Sequence, residues 1–275
     1  VMLQLAFIGL FIAQMARQLI TARQRNNYPI LLVLSLLALC QSLTLAGLAM
    51  GDDGLQRRGA LAALWLIAVM LSLIGGRVIP FFTHRALGRV EAFAAYPWQD
   101  RLLLACGVLV AALFASGHNL QASPWLAVLF ILLSVLHGLR LWRWHMRGIW
   151  GVPLLWSLHL GYAWLLVASL GMAAWHLGWL AYPSLASHAL AVGAMGGLIL
   201  AMMARVSLGH TGRALQPPKA MAWAFGLLNL GALFRVSAGG SWLWLAALCW
   251  GAAFALFAWH YAPMLCRARV DGHPG

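Results

Sequence analysis

Long apolar runs separated by short polar breaks dominate the chain. Charged residues, Pro and Gly divide it into nine runs, each close to the roughly 20 residues that a membrane-spanning helix needs. The predicted spans are Val1–Thr21, Pro29–Met50, Ala60–Phe82, Asp100–Gly117, Pro124–Leu141, Pro153–Trp175, Ser184–Arg205, Lys219–Arg235 and Trp242–Tyr261. Because lipid offers no hydrogen bonds to the backbone, each run is expected to be helical. The pattern predicts an all-α, polytopic transmembrane helix bundle that forms one domain over residues 1–275.

Composition and charge agree with a membrane protein. Hydrophobic residues make up 63% of the chain and charged residues only 8%, which leaves no room for a separate soluble domain. Fifteen of the eighteen Lys and Arg residues fall in alternate loops. The positive-inside rule therefore predicts a cytoplasmic C-terminus and an outer position for residue 1. The net charge of +13 reflects this topology, and nucleic acid is not an expected partner because no basic soluble module is present.

The start of the chain and its acidic residues narrow the interpretation. Val1 lies inside an apolar run, without an initiator Met or the positive flank of a signal peptide. We therefore expect a C-terminal portion of a longer protein. The acidic residues fall in loops or at helix ends, and they are Asp52, Asp53, Glu91, Asp100 and Asp271. The absence of a carboxylate deep in the predicted spans argues against a proton-coupled carrier.

The four cysteines are isolated from one another. Cys40, Cys106, Cys249 and Cys266 form neither a C-x-x-C pair nor a C-x-x-C-H haem attachment motif. Lone cysteines in or beside helices usually behave as small hydrophobic residues. Any haem is therefore expected to be bound without thioether links.

Histidines supply the candidate chemistry. His159, His188 and His210 lie in or at the edge of predicted spans, where an imidazole needs a hydrogen-bond partner or a function. Neutral imidazole is also the commonest metal ligand and an axial ligand of haem. His188 and His210 are 22 residues apart, so one metal cannot bind both unless the helix breaks. His137 is an intermediate candidate, whereas solvation is the simpler expectation for His84, His118, His145, His176 and His273.

Two spacings favour a metal or cofactor site, although packing is the simpler alternative for both. His188, Met195 and Met202 recur every seven residues, which predicts a stripe of imidazole and thioether groups suited to Cu(I). Trp156, His159 and Tyr162 are three residues apart. We expect them to share one helix face that could edge a flat cofactor.

Glycines and arginines mark the ends and contacts of these spans. Gly193-Ala-Met-Gly-Gly197 places small residues four apart, which predicts close approach of a neighbouring helix or a planar ligand. Arg77 and Arg205 lie at or near predicted helix ends, where lipid phosphates, haem propionates or backbone carbonyls are their expected partners. The Gly209-His-Thr-Gly-Arg213 turn is expected to leave His210 accessible.

Four strings in the chain resemble the NnrS family of bacterial membrane proteins. They are Gly75-Gly-Arg-Val-Ile-Pro-Phe-Phe-Thr83, Pro153-Leu-Leu-Trp-Ser-Leu-His-Leu-Gly-Tyr162, Ser187-His-Ala-Leu-Ala-Val-Gly-Ala-Met-Gly196 and Met203-Ala-Arg-Val-Ser-Leu-Gly-His-Thr-Gly-Arg213. The resemblance implies a multi-pass protein of the bacterial cytoplasmic membrane with about twelve helices, of which nine are in this chain. It also implies non-covalent haem, expected to be b-type, and copper, in nitric-oxide metabolism or nitrosative-stress tolerance.

The resemblance also implies a set of cofactor-binding residues. Those at the family's motif positions are Arg77, His159, Tyr162, His188, Arg205, His210 and Arg213. The candidate metal ligands are His159, His188, His210 and His137, and the resemblance does not divide them between haem and copper. The leading hypothesis is a haem and copper protein that binds or turns over nitric oxide or a related small ligand, with an unidentified electron donor if it is an enzyme. A transporter of a metal or small metal complex is the alternative, and a scaffolding protein with structural histidines is a third.

Overall fold

The computed structural model describes residues 2–88, 93–237 and 241–272. Within these ranges the chain forms nine helices long and apolar enough to span a membrane, and it forms no strand. They are α1 (Met2–Thr21), α2 (Tyr28–Met50), α3 (Asp53–Ala86), α4 (Pro97–Ala115), α5 (Pro124–Trp144), α6 (Pro153–His176), α7 (Pro183–His210), α8 (Ala220–Ser237) and α9 (Leu243–Leu265). The predicted helix bundle is confirmed. Val1, Glu91 and His273 lie outside the described residues.

Two helices extend past the charged residues at which the predicted spans stop. Helix α3 has 34 residues and is about 51 Å long, far longer than the roughly 30 Å hydrocarbon core. It begins early because the Asp52 side chain caps it by accepting a hydrogen bond from the Leu55 N–H at 2.9 Å. Helix α5 continues to Trp144, so it contains Arg143 as well as Arg140, which the predicted span Pro124–Leu141 already included, and neither is a loop charge. Arg140 is also buried.

Helix α7 contains a π-helical segment. Residues Pro183–His188 and Gly196–His210 are α-helical, and Ala189–Met195 between them are π-helical. A π segment adds residues to each turn and so rotates the helix faces on its two sides relative to each other. The predicted stripe is therefore wrong for His188, because the π segment separates it from Met195 and Met202. The helix does not break, so His188 and His210 remain at opposite ends.

Glycines bring α6 and α7 into close contact, as the small-residue pattern predicts. A Cβ atom on Gly197 would lie 3.2 Å from the Cα of Gly161, and one on Gly193 would lie 2.3 Å from the Trp164 ring. Trp164 then donates a hydrogen bond from Nε1 to Asn229 Oδ1 in α8 at 2.9 Å. These contacts hold α6, α7 and α8 together.

Helices α3, α4, α5 and α6 form a second group of packed neighbours. Helix α3 packs against α4 and α6, and α5 packs against α6. The close approach of α3 to α6 occurs at Gly75, where a Cβ atom would lie 3.0 Å from the Tyr162 ring. We call the bundle end at which α1, α3, α5, α7 and α9 finish the basic face, since it carries most of the Lys and Arg residues and is predicted to be cytoplasmic.

We expect Gly193→Ala to destabilise the bundle. The new Cβ atom would overlap the Trp164 ring, and overpacking of this kind typically costs roughly 1–3 kcal/mol. The matched control is Gly226→Ala in α8, because a Cβ atom there meets nothing within 4 Å. Thermal unfolding of the detergent-purified protein would show a lower midpoint for the first variant only. Equal midpoints would show that the α6–α7 contact tolerates the added methyl group.

A candidate cofactor cleft at the basic face

A buried arginine joins four helices near the basic face. Arg140 in α5 is only 4% exposed. Its Nη1 donates to the carbonyl oxygen and the hydroxyl of Ser72 in α3, at 2.9 and 3.0 Å, and to Tyr162 Oη in α6 at 2.8 Å. Its Nη2 forms an ion pair with Asp100 in α4. The guanidinium is therefore neutralised and hydrogen-bonded by three helices other than its own.

The same cluster includes His137. Tyr162 is fully buried, and its hydroxyl lies 3.0 Å from His137 Nδ1. An arginine can only donate hydrogen bonds, so Tyr162 Oη accepts from Arg140. The phenol oxygen has two lone pairs, so it either donates to His137 Nδ1 or accepts from it, depending on which ring nitrogen carries the proton.

Local sequence makes room for this cluster. His137 and Arg140 are three residues apart on α5 and therefore lie on one face. Opposite them, a Cβ atom on Gly76 would lie 3.0 Å from Arg140 Nη1. The Gly75-Gly76 pair thus lets the Tyr162 ring and the Arg140 guanidinium pack against the α3 backbone.

A cleft of about 650 Å³ opens beside the cluster. Three arginines contribute to its wall, Arg77, Arg140 and Arg143, against one carboxylate, Asp100. The remaining lining is largely aromatic and apolar, and it includes Pro80, Phe81, His84, Phe93, Tyr96, Trp142 and Trp144. The cleft therefore combines flat apolar surfaces with an excess of positive charge.

Two of these arginines are held by neutral groups. Arg143 donates to Gln99 Oε1 at 2.7 Å, and its guanidinium lies 3.8 Å from the centre of the Tyr96 ring. Arg77 donates to Asn27 Oδ1 at 2.5 Å and to the carbonyl of Asn26. Since neither arginine has an ion-pair partner among the described residues, their charges remain available to an anion.

His84 is the histidine that lines this cleft. It is half-buried, and its Nε2 atom is inaccessible to solvent without a hydrogen-bond partner among the described residues. A buried imidazole nitrogen without a partner needs an explanation, such as a water molecule or a ligand. The expectation that His84 is simply solvated is wrong for this nitrogen.

A second unpartnered imidazole nitrogen belongs to His159. The residue is 7% exposed, and its Nδ1 lies 2.9 Å from the carbonyl oxygen of Leu155. Nδ1 must donate to this carbonyl, which leaves the lone pair on Nε2, an arrangement common in metal-binding histidines. Nε2 has no hydrogen bond of ordinary geometry within the described part of the chain, although the Trp144 backbone lies close enough for a weak one.

A family model described as NnrS protein matches residues 1–269 of the chain. The chain belongs to the NnrS family. This confirms the resemblance found in the sequence and extends it over essentially the whole chain. Comparisons with curated proteins and with solved structures gave no match.

The NnrS motif residues do not meet at one place. His188 lies at the opposite end of α7 from the basic face, where Nδ1 donates to the Ser184 carbonyl at 2.5 Å. Its Nε2 accepts a hydrogen bond from Arg235 Nη2 at 2.6 Å. Both ring nitrogens are therefore occupied, and a metal would have to displace Arg235.

The NnrS turn at Gly209–Arg213 packs against the C-terminal segment. His210 is exposed, as predicted, and its carbonyl accepts a hydrogen bond from Arg269 at 3.1 Å. Hydrogen bonds to the Asp271 carboxylate raise the pKa of Arg269. Gly212 has a φ of 71°, and a Cβ atom there would lie 2.6 Å from Asp271, so glycine is required. The Arg213 guanidinium stays close to the turn, with Nη1 3.4 Å from the Thr211 carbonyl.

Arg205, an NnrS motif arginine in α7, is also buried. It is 5% exposed, and its guanidinium lies 3.9 Å from the centre of the Phe82 ring in α3. Its Nε has no hydrogen-bond partner among the residues that the structure describes. The aromatic ring stabilises the cation without neutralising it.

The predicted aromatic face on α6 is wrong in part. Trp156 packs edge-on against Phe225 of α8, with ring centres 5.8 Å apart, whereas Tyr162 points to Arg140 and His137. The two residues are six apart, and six residues of α-helix turn through about 600°, which leaves them about 120° apart. Trp156 therefore does not edge the same space as Tyr162.

The structure also corrects the expected surroundings of His176. Only 2% of it is exposed, so the expectation of a solvated side chain is wrong. Its Nδ1 accepts a hydrogen bond from the Ser123 N–H at 3.1 Å, and its ring stacks on Phe130. Across the described residues, no group of three or more His, Cys, Asp or Glu side chains is arranged to hold a metal ion.

Sequence reasoning missed the residues that build the cleft. Arg140 and Arg143 were counted as loop charges, and Asp100 was treated as a helix-end charge. One signal was available. His137 and Arg140 lie on the same helix face, so burial of the histidine implies burial of the arginine.

We expect Arg140→Leu to destabilise the protein more than Asp100→Asn. Arg140→Leu leaves Tyr162, Ser72 and Asp100 without their shared hydrogen-bond donor. The effect of Asp100→Asn should be smaller, because the Asp100 side chain is 57% exposed and water can solvate this position. Removing one partner from a buried charged cluster costs roughly 3–5 kcal/mol, and the exposure of Asp100 lowers our expectation to about 2 kcal/mol. Thermal unfolding would compare the two variants. A larger loss for Asp100→Asn would show that the ion pair, rather than the hydrogen bonds, dominates the cluster.

Proposed function

We propose that this NnrS family member is a membrane haem protein that binds or turns over nitric oxide or a related small ligand, in nitric-oxide metabolism or nitrosative-stress tolerance. We further propose that it lies in the bacterial cytoplasmic membrane with the basic face towards the cytoplasm. The observation that supports this proposal is the cleft at that face, which joins aromatic walls, unneutralised arginines and an unpartnered histidine nitrogen.

The size and walls of the cleft suit a flat, largely apolar cofactor. Its volume of about 650 Å³ lies within the range of roughly 300–1,000 Å³ typical of ligand and cofactor pockets. Phe81, Tyr96, Trp142 and Trp144 provide the ring faces and edges against which a macrocycle packs favourably. These residues come from α3, the α3–α4 connection and α5.

The charges of the cleft suit the two propionates of haem. Arg77 and Arg143 are the groups we propose to bind them, since their present partners are neutral. Asp100 opposes an incoming anion less than a free carboxylate would, because it is paired with Arg140.

His84 is the residue that we propose would bind the haem iron, and His159 is the second candidate. Both have a buried Nε2 that no described residue satisfies, but His84 lines the cleft and His159 does not. When bound, haem would supply an iron centre that binds small diatomic ligands. The protein's own contribution is to orient the imidazole, to bind the propionates and to cover the macrocycle with apolar side chains.

Copper is not matched by a comparable site. The described residues contain no suitable group of three ligands, and both nitrogens of His188 are engaged. Copper stays a prediction from the family resemblance, and we assign it to no residue.

The cavity arrangement favours binding over transport. A transporter needs a path from the cleft through the bundle, and here Arg140 closes the inner end of the cleft with bonds to three neighbouring helices. The cavity beyond it has a volume of only about 20 Å³. This observation supports a bound cofactor rather than a metal complex in transit.

The first test is the absorption spectrum and metal content of the full-length protein purified in detergent. We expect iron and a Soret band that shifts when nitric oxide is added to the reduced protein. His84→Ala should lower the haem content several-fold, because it removes the nitrogen proposed to bind the iron. His159→Ala tests the second candidate in the same way.

The matched control is His145→Ala, which removes an exposed histidine near the same face. It should retain the haem content of the unmodified protein. If all three variants contained equal amounts of haem, neither His84 nor His159 would be the residue that binds the iron. A folded, full-length protein without haem would overturn the proposed function.

A further inference from the structure

A second cavity lies on the inner side of Arg140, between α3, α4, α5 and α6. Its lining includes Trp65, Ser72, Gly107, Leu133, His137 and Ser169. The centre of a water-sized molecule can occupy about 20 Å³ of this cavity. A cavity needs roughly 10–15 Å³ of such volume to hold one water molecule, so this one has room for a single small molecule.

An unpartnered N–H group lines this cavity. Trp65 is 3% exposed, and its Nε1–H is buried without a hydrogen-bond partner among the described residues. His137, which is 5% exposed and bonded to Tyr162 through Nδ1, lines the same cavity. A buried N–H group normally has a partner, so an acceptor for the Trp65 indole is missing.

Two hydroxyl groups complete the polar lining. Ser72 Oγ accepts from Arg140 at 3.0 Å and also interacts with the Tyr162 hydroxyl, so it is already engaged within the cluster. Ser169 Oγ donates to the Leu165 carbonyl at 2.8 Å, which leaves its lone pairs free to accept. The Trp65 N–H as donor and Ser169 Oγ as acceptor give the cavity two polar partners, and a buried water needs two to four.

The lining also defines the charge of the occupant. None of its residues is charged, and the nearest charge is the Arg140 guanidinium bonded to Ser72. A cation would be repelled, and an anion would compete with Asp100, which already neutralises Arg140. The occupant is therefore neutral.

We propose that this cavity is a binding site for one neutral, water-sized molecule that accepts a hydrogen bond from Trp65 and lies beside His137. A resident water molecule and a dissolved diatomic gas both have this chemistry. The site is separate from the cleft and does not depend on the proposed haem function. It places the His137–Tyr162–Arg140 cluster in contact with a small molecule inside the membrane-spanning region.

The test uses the indole N–H signals of the ¹⁵N-labelled, full-length protein in detergent micelles, with Trp65→Phe to assign the Trp65 signal. Under argon, magnetisation transfer from water detects a bound water molecule. Carbon monoxide is then added as the diatomic probe. The matched control is Trp164, which is also buried at 6% exposure but whose Nε1 is already bonded to Asn229.

We expect the Trp65 signal, and not the Trp164 signal, to show transfer from water or a saturable shift with carbon monoxide. Transfer alone identifies the occupant as resident water, and a shift shows that a diatomic gas enters. Ala68→Leu, which fills the cavity, should abolish either effect, whereas Ala60→Leu on the exposed side of α3 should preserve it. Haem content, measured on the same samples, is expected to be unchanged.

A second variant tests the site independently, in case Ala68→Leu does not fold. Ser169→Ala adds no volume and removes the acceptor, so it should weaken the water signal at Trp65 several-fold. A folded, unmodified protein in which Trp65 shows neither water transfer nor a gas-dependent shift would overturn the proposal.

Discussion

The burial of the Arg140 guanidinium is the constraint on which the arrangement of α3 to α6 depends. A cation this far from water must be neutralised and must have its N–H groups bonded, or the helix that carries it cannot occupy the bundle interior. Ser72, Asp100 and Tyr162 meet these needs from three different helices. The requirement therefore fixes how the four helices approach one another. It also divides the interior, with a cleft on one side of the arginine and a small cavity on the other.

The same arginine is linked to His137 through a phenol. Because Arg140 only donates, Tyr162 Oη must accept from it, and this oxygen is also hydrogen-bonded to His137 Nδ1. The glycine pair Gly75-Gly76 is the steric counterpart, since a side chain at either position would push the phenol ring or the guanidinium away. A conformational role and an electrostatic role thus coincide in one motif string of the family.

The sequence predicts the helices well because hydropathy depends only on near neighbours in the chain. Arg140 and Arg143 were counted as loop charges because charge was taken to mark a helix end, although the predicted span already contained Arg140 and both lie in α5. The partners of Arg140 could not be predicted from the sequence. Ser72 is 68 positions away in the chain, and helical periodicity indicates only contacts between near neighbours. The π segment in α7 is equally invisible, since its residues also suit an α-helix. His84 was missed because depth along a helix says nothing about which neighbours close over a side chain.

The dispersion of the family motifs argues that they serve more than one site. The Gly75–Thr83 string borders the cleft, the His188 string contacts Arg235 at the opposite end of α7, and the Gly209–Arg213 turn holds the C-terminal segment. One cofactor cannot touch all three places, because the length of α7 separates the second from the third. Residues at motif positions therefore combine cofactor binding with packing. A buried, unpartnered nitrogen, rather than motif membership, marks a histidine with an unmet need for a partner, and His84, His159 and His176 each have one.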